Sequence, residues 1–137
     1  MDGSGSGGVL DSSALLTLAY DELGADRVEP AIRRGALITT VNWAEALSRM
    51  VERGEAVEVA EPRVRVRIAK IGTLTIVPYD ERHAIETARL RLRTKSLGLS
   101  LADRACLALA RLRRLPVLTT DRAWRSLHLS IRIEVIR

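Results

Sequence analysis

Five short apolar runs recur along this 137-residue chain, and stretches of helical length separate them. The runs are Val9-Leu10, Ala36 to Thr39, Thr73 to Val77, Leu115 to Thr119 and Ile131 to Ile136. Short apolar runs bounded by turn residues suit buried strands, and the segments between them carry helical periodicity. That alternation constrains the fold more than any single motif, because parallel neighbours in a sheet need a long crossover between them, usually a helix. It predicts an α/β domain on a parallel sheet. The strands are expected to begin near Val9, Leu37, Thr75, Val117 and Ile133. No internal repeat is evident, and the length suits one domain, expected over residues 9–137. Residues 1–8, dominated by Gly and Ser, read as a flexible leader with the composition of an engineered linker.

The connecting helices are read as follows. Ala14 to Tyr20 starts a helix, with Ser12 or Ser13 as its cap, and Asp21 to Arg34 continues it with a break expected at Glu29-Pro30. Gly35 ends that segment. Thr40 to Asn42 lead into a helix reaching Arg53, in which Trp43, Leu47 and Met50 share a buried face and Glu45 lies off it. Glu55 to Ile71 alternates Arg and Val like a strand, yet a strand follows after Gly72, so a helix is expected with Pro62 at its first position. Asp80 caps the next helix, whose Ile85, Ala88 and Leu92 line one face and Arg82, Arg89 and Arg93 another. Ser100 and Asp103 form a capping-box pattern. The helix behind it, Arg104 to Arg113, is apolar from Ala105 to Ala110 and must be buried. A brief helix is expected near Ala123 to Leu127.

Charge narrows the function. The chain carries net charge +5, and Arg supplies all 22 basic residues except Lys70 and Lys95. Guanidinium grips phosphate through paired hydrogen bonds, so nucleic acid or an acidic protein tail is the expected partner. The single cysteine, Cys106, forms no internal disulfide and points to a reducing, cytoplasmic setting. No apolar run approaches the length of a bilayer span. With His83 and His128 the only histidines, a structural zinc site lacks ligands.

Four acids share one kind of address. Asp11 and Asp121 each follow a strand directly, Glu45 lies in the early turns of the helix after the second strand, and Asp103 opens a buried helix. In a parallel sheet with regular crossovers, strand C-termini and the N-termini of the helices that follow share one edge. Singly, Asp11, Asp103 and Asp121 read equally as helix caps and Glu45 as a solvated residue. Together they form an acidic cluster that a hard divalent ion would neutralise, Mg²⁺ or Mn²⁺ by ligand type. Metal-assisted cleavage of nucleic acid by a basic protein is the reading that follows. Two others compete with it. A non-catalytic module would bind RNA or protein without cutting. A receiver-like phosphoacceptor would need a Lys after the last strand, and neither lysine lies there.

Val9-Leu10-Asp11-Ser12-Ser13-Ala14, Asn42-Trp43-Ala44-Glu45, Leu99-Ser100-Leu101-Ala102-Asp103 and Thr119-Thr120-Asp121-Arg122-Ala123-Trp124 together resemble the PIN-domain family. Within it they are most similar to the VapC-type toxins of toxin–antitoxin pairs. The resemblance runs from Val9 to the end, with the motifs in order. It implies a three-layer domain with parallel strand order 3-2-1-4-5 and a Mg²⁺- or Mn²⁺-dependent endoribonuclease. Its acidic metal site would fall on Asp11, Glu45, Asp103 and Asp121, with supporting hydroxyls at Ser13 and at Thr119 or Thr120. Asp11 would be the central metal-bridging carboxylate. The resemblance further implies a homodimer held inactive by an antitoxin whose C-terminal segment covers the acidic pocket. The Arg-rich stretch Glu55 to Ile71 departs from the regular helix expected of the family.

Overall fold

A computed structural model describes residues 7–137. Its five strands are β1 (Val9–Leu10), β2 (Ala36–Thr39), β3 (Leu74–Val77), β4 (Val117–Thr119) and β5 (Ile133–Val135). All pair in parallel, in the order β3-β2-β1-β4-β5. Val9 sits beside Leu37 on one side and Val117 on the other, so the shortest strand holds the centre. Seven α-helices are described: α1 (Ser12–Ala19), α2 (Ala25–Arg33), α3 (Thr40–Glu52), α4 (Val57–Ala69), α5 (Glu81–Arg89), α6 (Arg91–Thr94) and α7 (Leu101–Arg113).

The strands alternate sides with a period of two, which divides the core into two layers. Leu10, Ala36, Ile38 and Leu118 face a cluster supplied by α1 to α4, while Val9, Leu37 and Val117 face a second one built on α7. With Phe absent, both layers are built mainly from Leu, Ile, Val and Ala. Ala105 to Ala110 are fully buried, as the apolar run of α7 requires.

Four local expectations are corrected. The first long helical segment breaks at Tyr20 to Gly24, not at Glu29-Pro30: α2 runs through Pro30. Gly24 adopts φ 104°, and a Cβ there would stand 2.7 Å from the Ile136 carbonyl oxygen, so tertiary packing sets that turn. Pro62 likewise lies inside α4 and not at its start. Each proline removes the bond to the carbonyl four residues earlier, on Asp26 and Glu58, both exposed residues in the first turn of their helix. The cap of α1 is Asp11 itself and neither serine: its side chain accepts from the Ala14 N–H. Finally, α5 and α6 turn Ile85, Ala88 and Leu92 to solvent and bury His83, Glu86, Thr87, Leu90 and Thr94. Glu86 is inside because Arg89 and Arg111 pair with it at 3.2 and 3.5 Å.

The leader expected over residues 1–8 lies outside the described residues up to position 6. Gly7 and Gly8 are buried, and Gly7 donates its N–H to the Gly35 carbonyl at 2.9 Å. Among the described residues no helix is long and apolar enough to cross a membrane.

Candidate active site

Asp11, Glu45, Asp103 and Asp121 line one cavity of about 500 Å³ at the C-terminal edge of the sheet. Ser12, Ser13, Arg49, Ser100, Thr120 and Trp124 share its wall. This is the edge at which open α/β sheets bind ligands, and the local structure explains why each acid stands there. Asp11 leaves β1 and caps α1, Asp121 follows β4 and caps the short 3-10 turn Arg122–Ser126, and Asp103 is the third residue of α7. Capping places a carboxylate beside unpaired N–H groups at the positive end of a helix, which holds it in position as well as stabilising its charge. Glu45 lies one turn into α3 and is held from below by the hydroxyl of Ser12.

Asp11 is the buried member, 5% exposed. Burial pushes its carboxyl up from 3.8 to about 6, against hydrogen bonds from Ser13, Thr119 and the Ala14 N–H that pull it down, and the charge of Asp103 adds to the rise. Ser13 Oγ donates to Asp11 Oδ1 at 2.6 Å and accepts from the Thr120 N–H at 3.0 Å. Thr119 and Thr120 therefore have separate roles. The Thr119 hydroxyl is fully buried and accepts from the Asp121 N–H at 3.0 Å, whereas Thr120 borders the cavity. Burial likewise raises Asp103, opposed by its Ser100 hydrogen bonds and reinforced by Glu45 and Asp121. Below the site the same burial, with Asp11, Asp103 and Glu45, pushes the Cys106 thiol well above its ordinary value and leaves it a packing residue.

Three residues of this site carry roles that the sequence reading does not assign. Arg49 brings a guanidinium to the cavity wall one helical turn beyond Glu45, and its i+4 spacing was the available signal. Asn42, buried at the entry to α3, donates Nδ2–H to the Ala102 carbonyl at 3.0 Å and so ties the start of α3 to the start of α7. Trp124 packs beneath the cavity, fully buried. The last two roles depend on contacts between distant parts of the chain.

No three acidic, histidine or cysteine side chains among the described residues are grouped closely enough to enclose an ion. The donor set nonetheless suits a hard divalent cation, which keeps several waters and takes as few as one or two protein carboxylates directly. All candidate donors are oxygens, and burial together with the neighbouring acids raises both Asp11 and Asp103.

The parallel 3-2-1-4-5 sheet with acids gathered at its C-terminal edge defines a doubly wound α/β class distinct from receivers, whose strand order is 2-1-3-4-5. The chain belongs to the PIN domain family, whose profile matches residues 8–128. PIN domains are typically nucleases and typically use a divalent metal. Among solved structures, VapBC2 from Rickettsia felis bound to a promoter DNA fragment is similar at TM-score 0.70 and 14% identity, covering 92% of this chain and 96% of that one. DNA-bound VapBC from Salmonella typhimurium is similar at TM-score 0.67 and 22% identity, covering 92% and 95%. VapBC-5 of Mycobacterium tuberculosis, of the VapBC family of toxin–antitoxin systems, is 26% identical at TM-score 0.57, covering 95% and 97%. No curated protein sequence matches the chain significantly.

Proposed function

We propose that this PIN domain, residues 9–137, is a Mg²⁺- or Mn²⁺-dependent endoribonuclease and the toxin of a toxin–antitoxin pair, acting in the cytoplasm. The observation that carries the reading is the convergence of Asp11, Glu45, Asp103 and Asp121 on one cavity, with Asp11 buried and raised to about 6. The similar toxin–antitoxin structures support the biological role.

In this reading Asp11, with Asp103, Asp121 and Glu45, would hold the ion, which when bound polarises the phosphodiester and acidifies a water. The protein's own groups set the geometry. Ser13 and Thr119 hold the Asp11 carboxylate, Ser12 holds Glu45, and Ser100 holds Asp103 through reciprocal cap bonds of 3.1 Å. Arg49 receives a phosphate of the substrate beside the acids, offsetting repulsion between the polyanion and a carboxylate-lined cavity. Hydrolysis forms one bond from water oxygen to phosphorus and breaks one ester bond, with the proton passing to the departing oxygen.

The partners follow the same reading. A homodimer would cover the apolar strip Ile85, Ala88 and Leu92, the last 81% exposed. A cognate antitoxin would cover the acidic cavity with its C-terminal segment. The experiment is RNA cleavage by purified protein with Mg²⁺ or Mn²⁺, with the product ends sequenced beside an Asp11→Asn control. Cutting that persists in chelator would overturn the metal assignment, and RNA retention without cutting would favour the binding module.

A further inference from the structure

The acidic cavity has a basic counterpart at the other edge of the sheet. There α2 and α7 end and β4 and β5 begin, around a cavity of about 770 Å³. Arg34, Arg111, Arg114 and Arg132 line it, with Glu134 the one acid among the described residues of its wall. Leu115 and Pro116 supply apolar surface between the cations.

Arginine at a helix C-terminus ordinarily complements the negative end of the helix, which accounts for one such residue on each of the two helices. Three features exceed that account. Arg132 belongs to the approach to β5 and to no helix end, yet it faces the same cavity. Glu134 is engaged by Arg27 at 3.4 Å, and Arg111 is anchored through its Nε to the buried Glu86 at 3.5 Å. Arg114 and Arg132 make no side-chain ion pair with a described residue. Arg114 also stands at φ 55°, in the left-handed region where a helix C-cap favours Gly. A guanidinium at a position that suits glycine, beside a second without an ion pair and a third anchored on Glu86, makes a cationic concavity. Like charges gathered around a cavity repel unless an anion joins them.

We propose that this cavity binds the phosphate groups of a polyanion, remote from the acidic site. Guanidinium groups on several sides match the oxygens of successive phosphates, and the apolar wall accommodates the sugars or bases between them. Two sources share that chemistry, a nucleic-acid backbone and a free polyphosphate or nucleotide. The proposal does not depend on RNA cleavage.

Calorimetric binding at low salt in EDTA tests it, using the full chain, inorganic tripolyphosphate as probe and an RNA dodecamer as competitor. Arg114→Gly is expected to fold as well as the parent, since Gly accepts the left-handed backbone, and thermal unfolding of each variant checks this. Tripolyphosphate is expected to bind the parent, and Arg114→Gly combined with Arg132→Ala is expected to weaken it at least tenfold and flatten the salt dependence. Arg82→Ala, an exposed arginine of α5 that lines neither cavity, is expected to leave this binding unchanged. Displacement by the dodecamer identifies a nucleic-acid backbone as the natural source, and its failure to displace identifies a free polyphosphate. No binding to the parent, or equal binding by the folded double variant, overturns the proposal. Loss of RNA cleavage in a separate assay would bear on the acidic site alone.

Discussion

Ser13 connects two strand ends through one oxygen: its hydroxyl donates to Asp11 Oδ1 at 2.6 Å and accepts from the Thr120 N–H at 3.0 Å. The carboxylate after β1 is thereby locked to the chain leaving β4. Ser13→Ala is expected to leave the Thr120 N–H unpaired and release one restraint on Asp11. The cost is about 1–2 kcal/mol of stability, with metal affinity or cleavage falling on the order of tenfold. Denaturant unfolding beside a metal titration checks both, and an unchanged affinity would confine Ser13 to a structural role.

Asp11→Asn is expected to abolish cleavage while stabilising the metal-free protein. Asn keeps an acceptor for the Ala14 N–H and removes a buried charge. A rise from 3.8 to about 6 is equivalent to about 3 kcal/mol at pH 7. Differential unfolding in EDTA measures it, and a variant less stable than the parent at pH 7 would contradict the burial argument.

The same shift gives a pH dependence with a definite sign. Between 3.8 and about 6 the folded state holds the Asp11 proton that the unfolded chain has released. Stability from this group is therefore present at low pH and lost as pH rises through about 6. The advantage of Asp11→Asn should shrink by about 2 kcal/mol between pH 7 and pH 4.5. Metal binding runs the other way, weakening by about tenfold per pH unit below about 6, because the proton competes with the ion.

Asn42→Ala is expected to separate two parts of the site without touching an acid. It removes the bond to the Ala102 carbonyl and the buried bond with Thr39. A loss of about 1–3 kcal/mol follows, together with reduced cleavage as Glu45 and Asp103 lose their common anchor. Cleavage equal to the parent in the folded variant would show that the two helices hold register without it.

Arg at both Ile85 and Leu92 is expected to yield a monomer. These side chains are 56% and 81% exposed, and replacing them removes no core packing. Light scattering across a concentration series is the measurement; an unchanged dimer places the interface elsewhere, and a monomeric parent removes the dimer from the proposed function.

The misread helix α5 shows where pattern reading stops. Ile85, Ala88 and Leu92 have the spacing of a core face, yet the core side is His83, Glu86 and Thr87. Periodicity identifies a face of one kind; which neighbour it meets depends on the partners available. Glu86 is buried because Arg111, on α7, reaches it. Pro30 and Pro62 make the same point: an interior proline costs about 3 kcal/mol, yet α2 and α4 run through them because burial of Val28, Ala31 and Ile32, and of Ala60, Val64 and Ile68, holds each helix.

The sequence by itself determined the strands, the parallel α/β class and the placement of three carboxylates at helix beginnings and a fourth one turn further in. Those features follow from local pattern: apolar runs, turn residues and capping chemistry act within a few residues of one another. Only the tertiary structure decided that Asp11 is at once a cap and the buried, raised acid, that Thr119 lies beneath the site while Thr120 borders it, and that four arginines meet at the opposite edge. Burial, proximity and pKa are set by residues far apart in the chain, and only the packed sheet brings those residues together.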